Sequence, residues 1–504
     1  MTGWRQQMTR IAQLVEVWIP SDTAATADTV RELSALLGSA DCAVGFAAKE
    51  ALHRVLCGYS PPNQVDAAQL VRWILGPPNC ADSTGVRFAL LRQILKVESE
   101  RQDAEEQEEN DELETGDAVG SPVHWVLNGV FANFTVVEAR VRRSFDAKKA
   151  SETGEVLRYE ALVFASGLLK CVRQQCVAAI ELSTQRIMIS QMLQLVERLM
   201  DAELISLDYR EQPAYVCVAV LNLLDHWHEL AAAIRDCSSD YKEVEPLCYS
   251  RWLSNSVRWL VESSCTTRAL ALIRAERRTS HAACQGSFIE RDSDYPFLQK
   301  WILFVSRLVR AIVDDNAGQG LADDVQSLIE DSDEIAGLLP SRHRILSILS
   351  EQDDVMVEVL NAVLHITAKL ETGNRSRNAG PTIFKHWARL ADRFVAEYDP
   401  DLLFADLLDT FAFDHLVLLD FLTSSETMML EYLMRYLRRL GDNWTRCRRV
   451  LGRTGRMDKV LSTLIRLQLE ITRLVAADIF PYHPTPLLRR LEAVERAYED
   501  GSAE

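Results

Sequence analysis

The stretch Asp414–Leu440, which reads DHLVLLDFLTSSETMMLEYLMRYLRRL, decides the fold class. Residues 414–422 are almost entirely apolar and predict a buried helix. Beyond a polar break, apolar residues recur at helical spacing, which predicts an amphipathic helix. Thr423-Ser-Ser-Glu426 between the two fits a capping box that would start the second helix. The favoured interpretation is a hairpin of core helices.

A second stretch, Asp478–Val494, reads DIFPYHPTPLLRRLEAV and follows a heptad-like apolar pattern that predicts a helix over residues 457–477. Three prolines within six residues forbid helix, so an extended corner is expected. Thr485 followed by Pro486 is a typical start for a final helix. The favoured interpretation is a corner that packs the last helix. The alternative is a surface for a partner, with Phe480 and Tyr482 as anchors.

The rest of the chain has the same pattern of predicted helices. Helix-length amphipathic segments alternate with short breaks rich in Pro, Gly, Ser and Asp. No strand-like alternation is present. We predict an all-α fold, either an armadillo/HEAT-like helical solenoid or an irregular multi-helix array. The predicted organisation is an N-terminal helical region (1–97), an acidic flexible linker (98–121), a central helical array (122–370), a polar loop (371–381), a helical region (382–440), a basic loop (441–456) and a C-terminal helical hairpin (457–504).

Charge and cysteine content narrow the class of protein. The 504 residues carry a formal net charge of −18, which repels phosphate backbones and anionic lipids. We therefore expect no direct nucleic-acid binding and no membrane association. The cysteine count, 11, is odd and includes no CxxC pair, as is typical of reduced thiols in an intracellular protein. A location in the cytoplasm and nucleus is expected.

Two segments depart from the average charge. Residues 98–117 hold eleven acids and one Arg, a composition that predicts a solvated linker. The alternative interpretation is a docking tail for a basic partner. Residues 435–459 hold nine basic residues against two acids. Those arginines either pair with neighbouring acidic helices or, with Trp444, contact an acidic partner, a nucleic acid or an import receptor. Trp444, Arg446, Arg448 and Arg449 are the candidates for such a contact.

Signatures of catalysis and cofactor binding are missing from the sequence. It has no phosphate-binding glycine loop and no HExxH zinc motif. His226 and His228 lie two residues apart, which on a helix points them to different faces. The Asp331 segment begins like a calcium loop but has Ala336 where that loop requires glycine. We predict that the protein is not an enzyme and carries no cofactor or metal.

The two C-terminal stretches resemble the Lines homolog family, named for an insect segment-polarity protein. The resemblance rests on the Asp-His pair, LLDFL, S-x-E-T and LEY-x-x-RYL within residues 414–437, and on FPY-x-P-T-x-LL at 480–488. Membership implies an armadillo-like helical body without catalytic activity. It also implies a role in developmental signalling of the Wingless/Wnt type and, in insects, direct binding of zinc-finger transcription regulators.

The sequence therefore predicts a non-enzymatic regulatory scaffold that binds other proteins, with zinc-finger transcription regulators as possible partners. A general α-solenoid adaptor or tether in trafficking or transport is the alternative. Nothing in the sequence indicates the oligomeric state. The candidate partner-binding residues are Tyr432, Tyr436, Trp444, Arg446, Arg448, Arg449, Phe480, Tyr482 and His483.

Overall fold

The protein is all-α in the computed structural model, which describes residues 2–16, 23–39, 42–57, 64–76, 83–109, 123–145, 152–177, 182–236, 245–279, 291–315, 338–375, 394, 396–424 and 426–502. These residues form twenty-one α-helices and contain no strand, which confirms the predicted class. A short π-helical turn, Met200–Leu204, extends the ninth helix. The first eleven helices are α1 (Thr2–Glu16), α2 (Thr23–Leu36), α3 (Cys42–Cys57), α4 (Gln64–Leu75), α5 (Thr84–Glu109), α6 (Val123–Ala132), α7 (Phe134–Arg143), α8 (Glu152–Val177), α9 (Leu182–Leu199), α10 (Ala214–Asp236) and α11 (Glu245–Glu262). The remaining ten are α12 (Ser264–Thr279), α13 (Arg291–Asp315), α14 (Arg342–Leu349), α15 (Asp353–Arg375), α16 (Pro400–Thr410), α17 (His415–Thr423), α18 (Met429–Asp442), α19 (Trp444–Arg453), α20 (Met457–Ala476) and α21 (Thr485–Ser502).

The helices divide into two compact units. The first comprises Met1–Asn255 with Glu262–Ser264, and the second comprises Ser256–Val261 with Cys265–Glu504. This division falls inside the segment 122–370, which the sequence predicts to be a single helical array.

Within the first unit, helices that are not sequence neighbours pack in succession: α1 on α3, α3 on α5, α5 on α8 and α8 on α10. A second row runs through α2, α4 and α6. The closest approach in that row is at Gly129 of α6, where a Cβ atom would lie 2.7 Å from the carbonyl oxygen of Ala67 and from Cγ2 of Val71. Glycine is thus the residue that lets α4 and α6 pack so tightly.

Helix ends in the first unit are tied together by the buried side chain of Arg87. Its guanidinium donates to the carbonyl oxygens of Ile74 (2.5 Å) and Ser34 (3.2 Å), which lie in the last turns of α4 and α2. Its Nε donates to the hydroxyl of Ser83 at 2.9 Å. Carbonyl groups in a last helical turn lack intrahelical partners and carry partial negative charge, so a buried cation stabilises both ends.

The second unit is organised in the same way. One row contains α13, α15, α18 and α21, and another contains α14, α16 and α19. Helix α17 packs on α20, and α20 packs on α21. The apolar face predicted for residues 457–477, which runs on to Leu474 and Val475, is confirmed as far as Ile471. Helix α20 ends at Ala476 and buries Met457, Val460, Leu461, Leu464, Leu467 and Ile471, whereas Val475 is 38% exposed.

Three local predictions need correction or adjustment. Thr423 does not start a helix: it ends α17, and its hydroxyl donates to the carbonyl oxygens of Leu419 and Asp420. The next helix begins at Met429, so the capping-box prediction is wrong. The acidic segment continues α5 as far as Glu109, while residues 110–122 lie outside the described part. Much of the segment 441–456, predicted as a loop, forms α19.

Candidate partner-binding surface

Tyr432 and Tyr436 lie in the core of the second unit. Both are almost completely inaccessible, and the ring of Tyr436 stacks on Phe404 of α16 with centroids 4.1 Å apart. Burial raises the pKa of both phenols, and the nearby Asp401 carboxyl raises it further. These two residues hold α18 on α16 and offer no surface to a partner.

A buried group of ion pairs continues from these tyrosines, and it begins at the N-terminus of α16. Asp399 caps that helix by accepting from the backbone N–H groups of Asp401 and Leu402 (2.9 and 3.4 Å). Pro400, at the first helical position, has no N–H that would need a partner. Carboxylates are favoured at a helix N-terminus because its exposed N–H groups carry partial positive charge.

Two arginines from neighbouring helices meet these carboxylates. Arg439 of α18 donates to Asp401 (3.0 Å) and to Glu371 of α15 (2.9 Å). Arg446 of α19 donates to Asp399 (2.7 Å) and to Asp401 (3.3 Å). We call Glu371, Asp399, Asp401, Arg439 and Arg446 the α16 ion cluster. It joins four helices, so the structure places Arg446, a candidate partner-binding residue, in an internal contact.

Asp401 is the deepest member of this cluster, with no exposed side-chain surface. Its burial raises the pKa of its carboxyl, and this effect outweighs the opposing influence of Arg439. The Asp401 carboxyl also raises the pKa of the Cys447 thiol, for which burial is the larger cause. A thiol with a raised pKa is a poor nucleophile, so Cys447 acts as a packing residue.

A second charged contact lies further along α16. Asp406 accepts from Arg342 at 2.6 Å and from Arg456, and His343 Nδ1 lies 3.4 Å from it. Arg456 belongs to the basic segment 435–459, so this arginine too is held inside the unit. The hypothesis that these arginines pair with neighbouring acidic helices is confirmed for Arg439, Arg446 and Arg456.

The outer side of α19 is different. Arg448, Arg449 and Arg453 are exposed, and none forms an ion pair with any residue in the described part of the chain. Arg449 and Arg453 lie roughly opposite the buried residues Cys447 and Leu451, and Arg448 lies to one side of them. Gly452 has open space beside it. We call Arg448, Arg449 and Arg453 the arginine stripe. Trp444, at the start of α19, is only partly exposed, and its Nε1 has no hydrogen-bond acceptor.

The aromatic–proline corner packs against the first of the two quoted stretches. The Tyr482 hydroxyl donates to the carbonyl oxygen of Leu422 at 2.6 Å, and its ring lies edge-on to that of Phe480 at 4.7 Å. Both side chains are partly buried, whereas His483 is exposed and Ile479 is 66% exposed. The Tyr482 hydrogen bond therefore holds the corner against the end of α17. The sequence does not predict that Ile479 is exposed. This residue lies between the end of α20 and the proline-rich corner, where no helical periodicity indicates which side chains are buried.

The described residues show no arrangement suited to metal catalysis or to spanning a membrane. No group of three or more His, Cys, Asp or Glu side chains in that part of the chain could hold a metal ion. None of its helices combines the length and apolar character needed to cross a bilayer.

Comparison with known proteins points to one family. A family model described as the Lines N-terminus matches residues 255–450, and one described as the Lines C-terminus matches residues 460–496. The first match begins within one residue of the second unit. The chain is 32% identical over 159 residues to Protein lines of Drosophila melanogaster, which is 31% of this chain and 17% of that protein. It is 39% identical over 97 residues to Protein Lines homolog 1 of Homo sapiens, which is 19% of this chain and 12% of that protein.

These matches span less than a fifth of the length of either relative. Among solved structures, a circular tandem repeat protein aligns over 95% of this chain and 96% of its own, with 14% identity and a TM-score of 0.32.

Proposed function

Since this chain belongs to the Lines family, we propose that it is a non-enzymatic regulatory scaffold that binds other proteins through its second unit. The proposed context is developmental signalling of the Wingless/Wnt type, and the proposed partners are zinc-finger transcription regulators. A distribution between cytoplasm and nucleus belongs to the same proposal. Both family matches lie in the second unit, which directs attention to the surfaces of that unit.

The observation that carries the binding proposal is the exposed arginine stripe of α19. Four of the arginines between residues 435 and 456 are held by carboxylates: Arg435 by Glu431, Arg439 and Arg446 in the α16 ion cluster, and Arg456 by Asp406. The stripe arginines lack such contacts with described residues, although the chain as a whole is strongly acidic. Uncompensated exposed arginines on one helix favour a partner that supplies carboxylates.

Arginine is well suited to such a contact because its planar guanidinium binds a carboxylate with two parallel hydrogen bonds. Three exposed arginines within six residues of one helix would fit an acidic helix or an extended acidic segment of a partner. The net charge of −18 argues against extended nucleic-acid contact as the use of this small basic surface.

The test is charge reversal at the centre of the stripe. The variant Arg448→Glu/Arg449→Glu and the unchanged full-length chain are expressed in cells, and bound proteins are quantified by affinity purification and mass spectrometry. The matched control is Arg473→Glu/Arg489→Glu, which makes the same charge change at exposed positions of α20 and α21. We expect transcription regulators to be depleted in the stripe variant and retained in the control.

A Wnt-responsive reporter measured with the same three proteins connects binding to signalling. The stripe variant should lose the effect that the unchanged chain has on the reporter. Equal recovery of transcription regulators with the stripe variant and the control would show that α19 is not the binding surface. Recovery of coat or tethering proteins in their place would favour the adaptor alternative.

A further inference from the structure

A cleft of about 680 Å³ lies between α15 and α18 in the second unit. Its first wall is formed by α15 and its second by α18 and the residue that follows, and it shares no residue with the arginine stripe. We call it the α15–α18 cleft, and its charged lining residues are Lys369, Glu371, Arg435, Arg438, Arg439 and Asp442.

Positive side chains outnumber negative ones in this lining, four to two. Arg435 and Lys369 stand at the rim, with side chains 41% and 50% exposed. Arg435 is paired with Glu431 at 2.5 Å, and Lys369 is 3.8 Å from Asp314, which also accepts from His365. Arg438 is exposed and forms no ion pair with a described residue. The cleft therefore has positive side chains on both walls, and among the described residues Arg438 has no ion-pair partner.

The floor of the cleft holds a second and independent feature. The guanidinium of Arg439 is 7% exposed and uses Nη1 and Nη2 for Asp401 and Glu371. Its Nε is buried and has no acceptor. An unmatched donor in a buried guanidinium is unfavourable, since buried polar groups in folded proteins nearly always have partners.

We propose that the α15–α18 cleft binds a phosphorylated serine or threonine side chain of a partner protein. A phosphate group carries up to two negative charges and three acceptor oxygens, so it can accept from Arg438 on one wall and Lys369 on the other at once. Arginine clusters are a recurring means of recognising phosphorylated segments. A carboxylate has fewer acceptor positions and a single charge, and it would leave part of this donor set unused.

The size of the cleft agrees with a peptide ligand. A volume of about 680 Å³ is that of a typical binding pocket and exceeds what one phosphate group fills. Leu364 and Ala368 supply apolar surface between the charged rims, where the flanking residues of a peptide could pack.

The first experiment measures binding of a peptide library by the full-length chain, using fluorescence polarisation. The library contains nine-residue peptides with phosphoserine at the centre and randomised flanks, and two companion libraries carry serine or glutamate at that position. We expect the phosphoserine library to bind at least about tenfold more tightly than the serine library, the change that one charge-assisted hydrogen bond supplies. Equal binding of the glutamate library would show that the cleft recognises a carboxylate and would overturn the proposal.

Two variants locate the effect. Arg438→Glu and Lys369→Glu reverse charges at solvent-facing positions on opposite walls, so neither disturbs the core. Each should abolish the preference for phosphoserine, whereas Arg473→Glu, which reverses an equally accessible charge on α20, should retain it. A preference that survives both cleft variants refutes the assignment.

The second experiment uses inorganic phosphate and requires no peptide. Thermal unfolding of the full-length chain is followed in sodium phosphate and in sodium chloride of equal ionic strength. Phosphate stabilises proteins generally by exclusion from their surfaces, and this part should be the same in every variant. A larger shift in the unchanged chain than in Arg438→Glu is the specific signal, and identical shifts contradict the proposal. The stripe variant Arg448→Glu/Arg449→Glu should show the same phosphate-specific shift as the unchanged chain, because the stripe and the cleft share no residue. A failure of the cleft proposal can therefore be told apart from a failure of the proposed function.

Discussion

Replacement of Arg439 by Met tests whether the α16 ion cluster holds the second unit together. The substitution keeps most of the side-chain volume and removes the cation. Asp401, which has no exposed surface, then retains a single guanidinium contact, from Arg446 at 3.3 Å, and Glu371 loses its 2.9 Å contact. Removing one partner of a buried ion pair costs about 3–5 kcal/mol because the remaining charge stays buried without compensation.

That free-energy loss gives a measurable change in the melting temperature. For a folding unit of 150–250 residues, about 1 kcal/mol lowers the midpoint by roughly 2–4 °C, so Arg439→Met should lower it by about 6–20 °C. The assay is thermal unfolding of the full-length chain. Hydrogen exchange of α16 and α18 is measured in parallel, to show that the transition affected is that of the second unit.

The same helix offers a matched control. Arg435→Met makes the identical chemical change one turn earlier, at a side chain that is 41% exposed and paired with Glu431. Exposed ion pairs contribute about 0–1 kcal/mol, so this variant should melt within a few degrees of the unchanged chain. The reasoning fails if Arg439→Met is no more destabilising than Arg435→Met.

The pH dependence of the same variant provides a second check. Burial raises the pKa of Asp401 in the folded protein above its value in the unfolded chain. Such a group adds stability at low pH, and this contribution is lost as the pH rises through the folded-state pKa. Arg439 opposes the shift, so its removal raises that pKa further and enlarges the loss at neutral pH. We expect the gap between Arg439→Met and the unchanged chain to narrow as the pH falls toward 4.

Two further predictions concern single contacts. Tyr482→Phe removes the hydroxyl that donates to the carbonyl oxygen of Leu422 at 2.6 Å and should cost about 1 kcal/mol in thermal unfolding. It should also remove one phenol that titrates at about pH 12 in an absorbance titration, because burial raises the pKa of Tyr482 to about 12. Gly129→Ala should destabilise the first unit by about 1–3 kcal/mol, since its Cβ would meet the Ala67 carbonyl oxygen at 2.7 Å. Gly167→Ala, in α8 with nothing within 4 Å, should instead stabilise it by about 0.5–1 kcal/mol, and equal effects of the two substitutions would contradict the packing argument.

The helical class and several helix bounds follow from the sequence because apolar periodicity is a local property. The pattern that starts at Met457 predicts α20 to within one residue, and its buried face is the predicted one. Proline placement likewise locates the corner before α21. These features need no knowledge of which helices become neighbours.

Contacts between distant residues could not be predicted in the same way. The 414–440 stretch contains a good capping-box pattern, yet the hydroxyl of Thr423 bonds back into the helix that precedes it. Tyr432 and Tyr436 are candidates for partner binding in the sequence, but α16 covers both rings. No sequence signal reveals that coverage, because Phe404 lies about thirty residues away along the chain.

The roles of the arginines in α19 are set by helical phase and by position along the helix, and not by local composition. Cys447 and Leu451, four residues apart, mark the buried side of the helix. Arg446 lies at the edge of that side, within reach of the carboxylates at the start of α16. Arg448 and Arg449 lie on other sides of the helix, whereas Arg453 follows Arg446 by seven residues on nearly the same side, and all three are exposed. A continuous basic segment is thereby divided into a structural part that anchors the helix and an exposed part that is free to meet a partner. The same helix that completes the core can present the proposed binding surface, because only part of its circumference is buried and the exposed arginines lie outside that part.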